Sequence, residues 1–217
     1  MNTERALFNM VEQQIRTWNV LDQQVLAHLA QLDRQIFVPA AYASLAYSDT
    51  EIPLGHGEHM LAPRVDARLL QDLKLQPHER VLEIGTGSGY LTALLALSCA
   101  QVVSLECHAE LVASAQQHLA QAGIHNAQVR LSQGIPSGLS DAGFDAMVLG
   151  GSVAEVPDEL LNLLKPQGRI LAVVGDEPMM HATRITRQAD GSGHSQILWD
   201  VVTPRLHGFA EHSSFHF

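Results

Sequence analysis

Basic residues are scarce in this 217-residue chain, where 13 Lys and Arg face 23 Asp and Glu for a formal charge of −10 at pH 7. So acidic a surface repels a phosphate backbone, and no nucleic-acid partner is expected. Cysteine is scarcer still, with two residues, Cys99 and Cys107, flanking an expected strand at 101–106. An extended strand would hold them ~25 Å apart at about 3.3 Å per residue. A disulfide requires Cα atoms within ~7 Å, so both read as free thiols, which suits a reducing cytosol. Long apolar runs are missing. Nothing approaches a membrane span, and Glu4 and Arg5 beside Leu7 and Phe8 leave no apolar core of secretory-signal length. The expected location is the cytoplasm, with no membrane partner. Repeats, low-complexity segments and linkers are also absent. With 46% apolar residues, the chain has the composition and length of one globular domain able to bury a sizeable core.

The twelve histidines are the one surplus that invites a metal reading, strongest at His56-Gly57-Glu58-His59. That spacing is not His-Glu-x-x-His, and no Cys or Asp cluster accompanies it. His207, His212 and His216 lie among loop residues and read as solvated. No metal site is expected.

The stretch around which the rest is organised is Arg80-Val81-Leu82-Glu83-Ile84-Gly85-Thr86-Gly87-Ser88-Gly89-Tyr90, which reads as strand, tight turn and helix. Glycine is required where φ is positive or a ligand approaches the backbone closely. A helix opening just after the turn offers free N–H groups and a positive dipole end to the polar part of a nucleotide-like ligand. The spacing is not the G-x-G-x-x-G of dinucleotide sites, and Glu83 ahead of it fits a pyrophosphate poorly. An acid there can serve a cationic ligand. The next strand, 101–106, ends in Glu106, an acid about 20 residues beyond the loop and so placed to bond ribose hydroxyls. The bland alternative, a tight turn with ordinary strand-end charges, needs three features to coincide by accident.

Ahead of the loop, Phe8, Val11, Ile15 and Trp18 have the period of a helix over 4–17. Asp22 is a fair N-cap for a second helix carrying Val25, Leu26, Leu29 and Leu32. The two helices are either a cap over the cofactor pocket, the favoured reading, or a layer of core. Residues 37–63 read as loop by their Pro and Gly content, a length more often functional than idle. Helix returns over 64–73. After the glycine loop, helices are expected at Tyr90–Leu97, at 109–122 with Gly123 as C-terminal cap, and from Pro157 to Leu164. Strands are expected at 128–131, 146–150 and 169–174, with a turn at Lys165-Pro166-Gln167-Gly168. The alternation predicts an α/β fold, a mostly parallel sheet with helices on both faces. Residues 182–187 and 195–202 then read as an antiparallel hairpin at its edge. One domain over 1–217 is expected, with a helical cap and substrate loop in 1–62 and an α/β core in 63–217.

The run from Glu83 to Gly89 resembles motif I of the S-adenosylmethionine (SAM)-dependent methyltransferases. That resemblance implies a Rossmann-like fold, SAM as cofactor and contacts from Glu83, Gly85, Thr86, Gly87 and Glu106. From about residue 10 to about 206 the chain further resembles the protein-L-isoaspartate O-methyltransferase family. The likeness is carried by Arg34-x-x-Phe37-Val38-Pro39, Ala46-Tyr47-x-Asp49, Pro53-Leu54-Gly55-x-Gly57, Pro63, Phe144-Asp145 and Val156-Pro157 as well as the glycine loop and Glu106. It implies a repair reaction, methyl esterification of the α-carboxylate of isoaspartyl residues in a protein or peptide partner. Two places depart from the family pattern. Gly-x-Thr-Ile-Ser-x-Pro is here Gly57-Glu58-His59-Met60-Leu61-Ala62-Pro63, and the adenine-side Gly-Asp-Gly is Ser132-Gln133-Gly134. Gln133 still offers a carbonyl to an adenine amino group, whereas Leu61 cannot replace a hydroxyl.

A carboxylate acceptor is ionised at pH 7, so methyl transfer to it needs positioning and desolvation and no general base. For a hydroxyl or amine acceptor a base would help, and His59 is the nearest neutral candidate. His59 is equally readable as a solvent-facing loop residue. Three functions stay open: carboxyl methylation of damaged protein, methylation of another acceptor beside Met60 and Leu61, or SAM binding without turnover. Neither the acceptor nor the oligomeric state follows from the sequence.

Overall fold

The computed structural model describes residues 3–133 and 143–211. Among these the α-helices are α1 (Thr3–Asn9), α2 (Gln23–Gln31), α3 (Pro63–Leu73), α4 (Tyr90–Ser98), α5 (Ala109–Gln121) and α6 (Asp158–Leu161). The strands are β1 (Ile52–Gly55), β2 (Glu58–Met60), β3 (Arg80–Ile84), β4 (Gln101–Glu106), β5 (Ala127–Leu131), β6 (Phe144–Val153), β7 (Leu164–Asp176), β8 (Met179–Arg187) and β9 (Gly193–Asp200). Seven of them form one sheet in the order β5-β4-β3-β6-β7-β8-β9, parallel from β5 to β7 and antiparallel through β8 and β9. The order reverses direction at β3, so the crevice at its C-terminal end lies between β4 and β6, where open α/β sheets take their ligands.

Successive side chains of a strand face opposite ways, and the core divides accordingly. Val81, Val102, Val129, Ala146, Val148 and Leu171 join the core beneath α2, α3, α4 and α5. Leu82, Val103, Leu105, Met147, Leu149 and Ile170 join the other, with Leu160 and Leu161 of α6 and with Phe209. Both faces are thus buried, as the apolar strand sequences require. Arg169 of β7 clamps Glu79, just ahead of β3, with two hydrogen bonds of 2.7 and 2.8 Å.

Several expected elements are present with their signals intact. Asp22 caps α2 by accepting from the N–H groups of Gln24 and Val25. Gly123, at φ 72°, ends α5, with Ile124 N–H donating to Leu119 O and Gly123 N–H to Ala120 O, the paired pattern of a Schellman cap. Cys99 and Cys107 are free.

Others differ. Residues 4–17 do not make one α-helix: α1 gives way to a π-helix at Met10–Ile15 and a 3₁₀ turn at Arg16–Trp18. The wider turn rephases the buried stripe, so Met10, Val11 and Ile15 are buried while Phe8 and Trp18 are 62% and 40% exposed. Within the expected loop 37–63, β1 and β2 pair as a hairpin, with Ile52 opposite Met60 and both buried. Its turn, Gly55-His56-Gly57, has positive φ at all three residues. The helix expected to reach Leu164 stops at Leu161, because the Leu163 carbonyl is taken by the N–H groups of Gly143 and Phe144 and Leu164 opens β7. Lys165–Gly168 is then a bulge inside β7, between the pairs Phe144–Leu164 and Ala146–Arg169.

Candidate functional site

Parallel pairing brings the C-terminal ends of β3, β4 and β6 side by side, with Ile84 opposite Leu105 on one side and Leu149 on the other. Just past them the chain turns through Gly85, Gly87 and Gly89, with φ of 93°, 53° and 86°. The turn is tied to β4, whose Leu105 carbonyl accepts from Gly85 N–H at 2.8 Å and Thr86 N–H at 3.2 Å. Gly89 opens α4, and a Cβ on it would lie 3.2 Å from Ala115 Cβ. From the β6 side Gly150 approaches so closely that a Cβ would stand 2.3 Å from the Gly85 carbonyl oxygen.

Two carboxylates flank this turn in different surroundings. Glu106, at the end of β4, is 4% exposed. Its Oε2 accepts from Gly87 N–H at 2.8 Å, and its Oε1 from the N–H groups of Cys107 and His108 at 2.8 and 3.0 Å. Glu83 is fully buried behind the turn. Its Oε2 accepts from Thr92 Oγ1 at 2.5 Å and Ser104 Oγ at 2.6 Å, and Thr86 Oγ1 reaches the same Ser104 Oγ. Oε1 has no partner among the described residues. Burial pushes this carboxyl up to about 8 against the pull of the two hydroxyls. Glu83, expected to face a cationic ligand, lies among these hydroxyls and outside the lining of the cleft. Cys107 is also pushed up, to about 11, by burial and then by Glu106. It is therefore a thiol at neutral pH.

The cleft has two lobes around the glycine turn, of about 40 and about 30 Å³ among the described residues, and His59, Gly85, Gly87 and Gly150 line both. The first lobe adds Glu58, Glu106, Cys107, Ser132 and Pro204–His207. The second adds Leu61, Asp66, Thr86, Ser88 and Tyr90. His59 is exposed on β2, while Leu61 just beyond is 6% exposed. Leu61 is held by its carbonyl, which accepts from the fully buried Arg34 at 2.7 Å. The same guanidinium donates to Ala46 O at 3.0 Å, lies 3.5 Å from Asp66 Oδ2 and covers the Tyr90 ring at 4.7 Å.

Of the residues singled out in the sequence, Gly85, Thr86, Gly87, Glu106 and His59 meet at this cleft. Gln133 is exposed and outside the lining, where its neighbour Ser132 stands instead. Gly134 lies outside the described residues. The sequence reading missed Gly150-Gly151 and the 204–207 segment. The adjacent glycines at the end of an apolar strand were a readable signal. The segment carried none: it is held by Ser152, which donates its N–H to Pro204 O and accepts from Leu206 N–H, both at 2.8 Å. That contact lays Leu206 over the turn, where a Cβ on Gly85 would meet its Cδ1 at 2.6 Å.

A parallel sheet reversing at a glycine turn, with an acid closing the neighbouring strand, defines a Rossmann-like SAM-dependent methyltransferase. The comparisons narrow this class. The profile of the family described as protein-L-isoaspartate(D-aspartate) O-methyltransferase (PCMT) matches residues 5–203, and the chain belongs to that family. Among curated relatives, protein-L-isoaspartate O-methyltransferases from Myxococcus xanthus and Geobacter metallireducens are similar. The first is 42% identical over 156 residues, covering 72% of this chain and 74% of its own. The second is 36% identical over 192 residues, covering 88% and 89%. A Plasmodium falciparum structure described as a putative protein-L-isoaspartate O-methyltransferase in complex with S-adenosyl-L-homocysteine shares the fold. Its TM-score is 0.78 at 24% identity, over 96% of this chain and 99% of that one. The methyl donor of the family is SAM. No helix among the described residues is long and apolar enough to cross a membrane.

Proposed function

We propose that this chain esterifies the α-carboxylate of isoaspartyl residues in protein substrates, using SAM, at a rate held down by its own substrate hairpin. The carrying observation is that two lobes meet at Gly85, Gly87 and His59, one walled by Glu106 and the other by Leu61. When bound, SAM supplies an electrophilic methyl group on a sulfonium.

The chain's residues suit that group. Glu106 Oε2 has accepted one N–H and keeps a lone pair for a ribose hydroxyl. Gly85 and Gly87 carry the turn at φ of 93° and 53° beneath Leu206 and Leu54, and Thr86 is engaged with Ser104 to fix the turn between them. Gln133 and Gly134 are assigned to the adenine side. Glu83 acts from behind, holding Thr92 and Ser104 and so the start of α4 against β4.

On the acceptor side the carboxylate needs no base, being ionised already. What it needs is orientation towards the methyl group in a place from which water is excluded. A His59 ring nitrogen offers one donor from the exposed face of β2. Leu61 offers none, and a carboxylate desolvated against it forgoes a hydrogen bond worth about 1.5–3 kcal/mol. That same apolar wall favours a second reading, a less polar acceptor. The test is methyl transfer from labelled SAM to an isoaspartyl peptide beside the same peptide with ordinary aspartate. Base-labile label confined to the isoaspartyl peptide supports the first reading; no label, by protein that binds SAM, passes the assignment to the second.

A further inference from the structure

Glu58, Cys107, His108 and His207 come from three distant stretches of chain and meet at the rim of the cleft. One ligand atom from each of Glu58, Cys107 and His108 lies within 4.8 Å of the other two. His108 Nε2 is 3.4 Å, and His207 Nε2 3.2 Å, from the same oxygen, Glu58 Oε1. Ligand atoms bound at about 2.0–2.1 Å in a tetrahedral zinc site sit ~3.3 Å from one another. Each nitrogen–oxygen separation is thus close to that of two ligands on one ion; His207 stands outside the three-residue group and joins it through the shared Glu58 oxygen.

His108 supplies an independent sign. Its Nε2 is buried and has no hydrogen-bond partner among the described residues, a condition buried polar atoms rarely keep. The ring is fixed by stacking on His56, with centroids 4.6 Å apart and planes 17° from parallel. It thus offers a desolvated nitrogen at the carboxylate, short of a hydrogen bond to it.

We propose that Glu58 Oε1, Cys107 Sγ, His108 Nε2 and His207 Nε2 form a binding site for a zinc-class divalent transition metal ion. One sulfur, two imidazole nitrogens and one carboxylate oxygen suit zinc or cobalt, whereas magnesium and calcium take oxygen sets. On coordination the Cys107 thiol releases its proton to solvent and both imidazoles bind neutral. The thiolate and carboxylate together balance the dication. Bound there, the ion ties the β1–β2 hairpin, the β4–α5 junction and the C-terminal segment into one rim. Glu58, Cys107 and His207 also line the Glu106 lobe of the cleft, so the ion would stand at its wall; the proposal does not rest on the acceptor assignment. The chain sequence hid it because the plausible local pattern grouped Glu58 with His56 and His59, while the fold groups it with residues 107, 108 and 207.

The experiment is a cobalt(II) titration of full-length, untagged protein followed by absorption, with circular dichroism confirming that each variant is folded. One cobalt per chain is expected, with tetrahedral d–d bands and a thiolate-to-cobalt charge-transfer band, all displaced by zinc. Cys107→Ser should abolish the charge-transfer band. His108→Ala and His207→Ala should each weaken cobalt binding at least about tenfold, while His78→Gln and His194→Gln leave it unchanged. Folded wild-type protein showing no cobalt spectrum at excess metal would overturn the proposal. So would a spectrum that survives both Cys107→Ser and His108→Ala.

Discussion

Glu106 Oε2 accepts the backbone N–H of Gly87 at 2.8 Å, closing the glycine turn of β3 onto the end of β4. A single carboxylate thereby sets the shape of the turn and presents its remaining lone pair to the cleft. Glu106→Gln replaces one charged acceptor oxygen by an NH₂ donor that must face N–H groups. SAM affinity should fall by roughly 1–3 kcal/mol, measured by calorimetry on variant protein of native circular dichroism. Unchanged affinity would remove Glu106 from the cofactor site.

Gly150 has no room for a side chain, since its Cβ would lie 2.3 Å from a backbone oxygen of Gly85. Backbone cannot swing away as a side-chain tip does, so Gly150→Ala must part β3 and β6 where the glycine turn begins. The expected loss is about 1–3 kcal/mol of stability, as for overpacked cores, together with weaker SAM binding. Urea denaturation and calorimetry read the two effects; a variant as stable as the parent would show that the strand ends yield freely.

Arg34 is fully buried and holds Ala46 O, Leu61 O and Asp66 together. Removing it strands Asp66, which burial already pushes upward against the pull of the guanidinium. Arg34→Met should destabilise the protein by about 3–5 kcal/mol, the effect of breaking a buried pair from one side. Arg34→Lys should recover only part of this, because an ammonium lacks the planar fork that serves several acceptors at once. Equal stability of the Lys variant and the parent in urea would contradict that geometry.

Glu83 makes stability depend on pH. Its carboxyl moves from 4.5 to about 8 on folding because it is desolvated. Between these values the folded chain holds a proton that the unfolded chain has released, so stability is greatest below the lower value and falls as pH rises through the upper one. Asp66, raised by burial, adds a slope of the same sign. Glu83→Gln, neutral throughout, should flatten the fall in urea midpoint between about pH 5 and pH 9. An unaltered profile would mean that Glu83 is ionised in the folded protein at neutral pH.

Local chemistry made the central elements legible: apolar runs gave β3, β4 and β6, alternate glycines gave the turn, and Asp22 and Gly123 marked helix ends. The place of Glu106 at the end of β4, beside the turn, was legible from the strand that precedes it. What stayed hidden is in part local backbone geometry and in part pairing between distant residues. The β1–β2 hairpin turns on Gly55-His56-Gly57, a signal submerged in a Pro- and Gly-rich stretch. The π-helix at Met10–Ile15 shifted a stripe that plain α periodicity put on Phe8 and Trp18. The Pro204–His207 segment is brought to the cleft through Ser152, some fifty residues earlier. Glu83 was found by its position but not by its role, because a strand-end acid looks the same in sequence whether it faces ligand or core.

The most direct measurement of the central claim is the rate of isoaspartyl methyl ester formation by the parent and by His59→Thr/Leu61→Ser, with SAM affinity measured alongside. Leu61 is 6% exposed, so the double variant loses some stability and must be assayed well below its unfolding temperature. Restoring one or two hydrogen bonds to a charged acceptor contributes roughly 1.5–3 kcal/mol each, and about 1.4 kcal/mol is a tenfold rate change. The account predicts slow but isoaspartyl-specific methylation by the parent, a gain of at least about tenfold in the double variant, and SAM affinity nearly unchanged. A parent and a double variant that both bind SAM and both leave the isoaspartyl peptide unmethylated would contradict it.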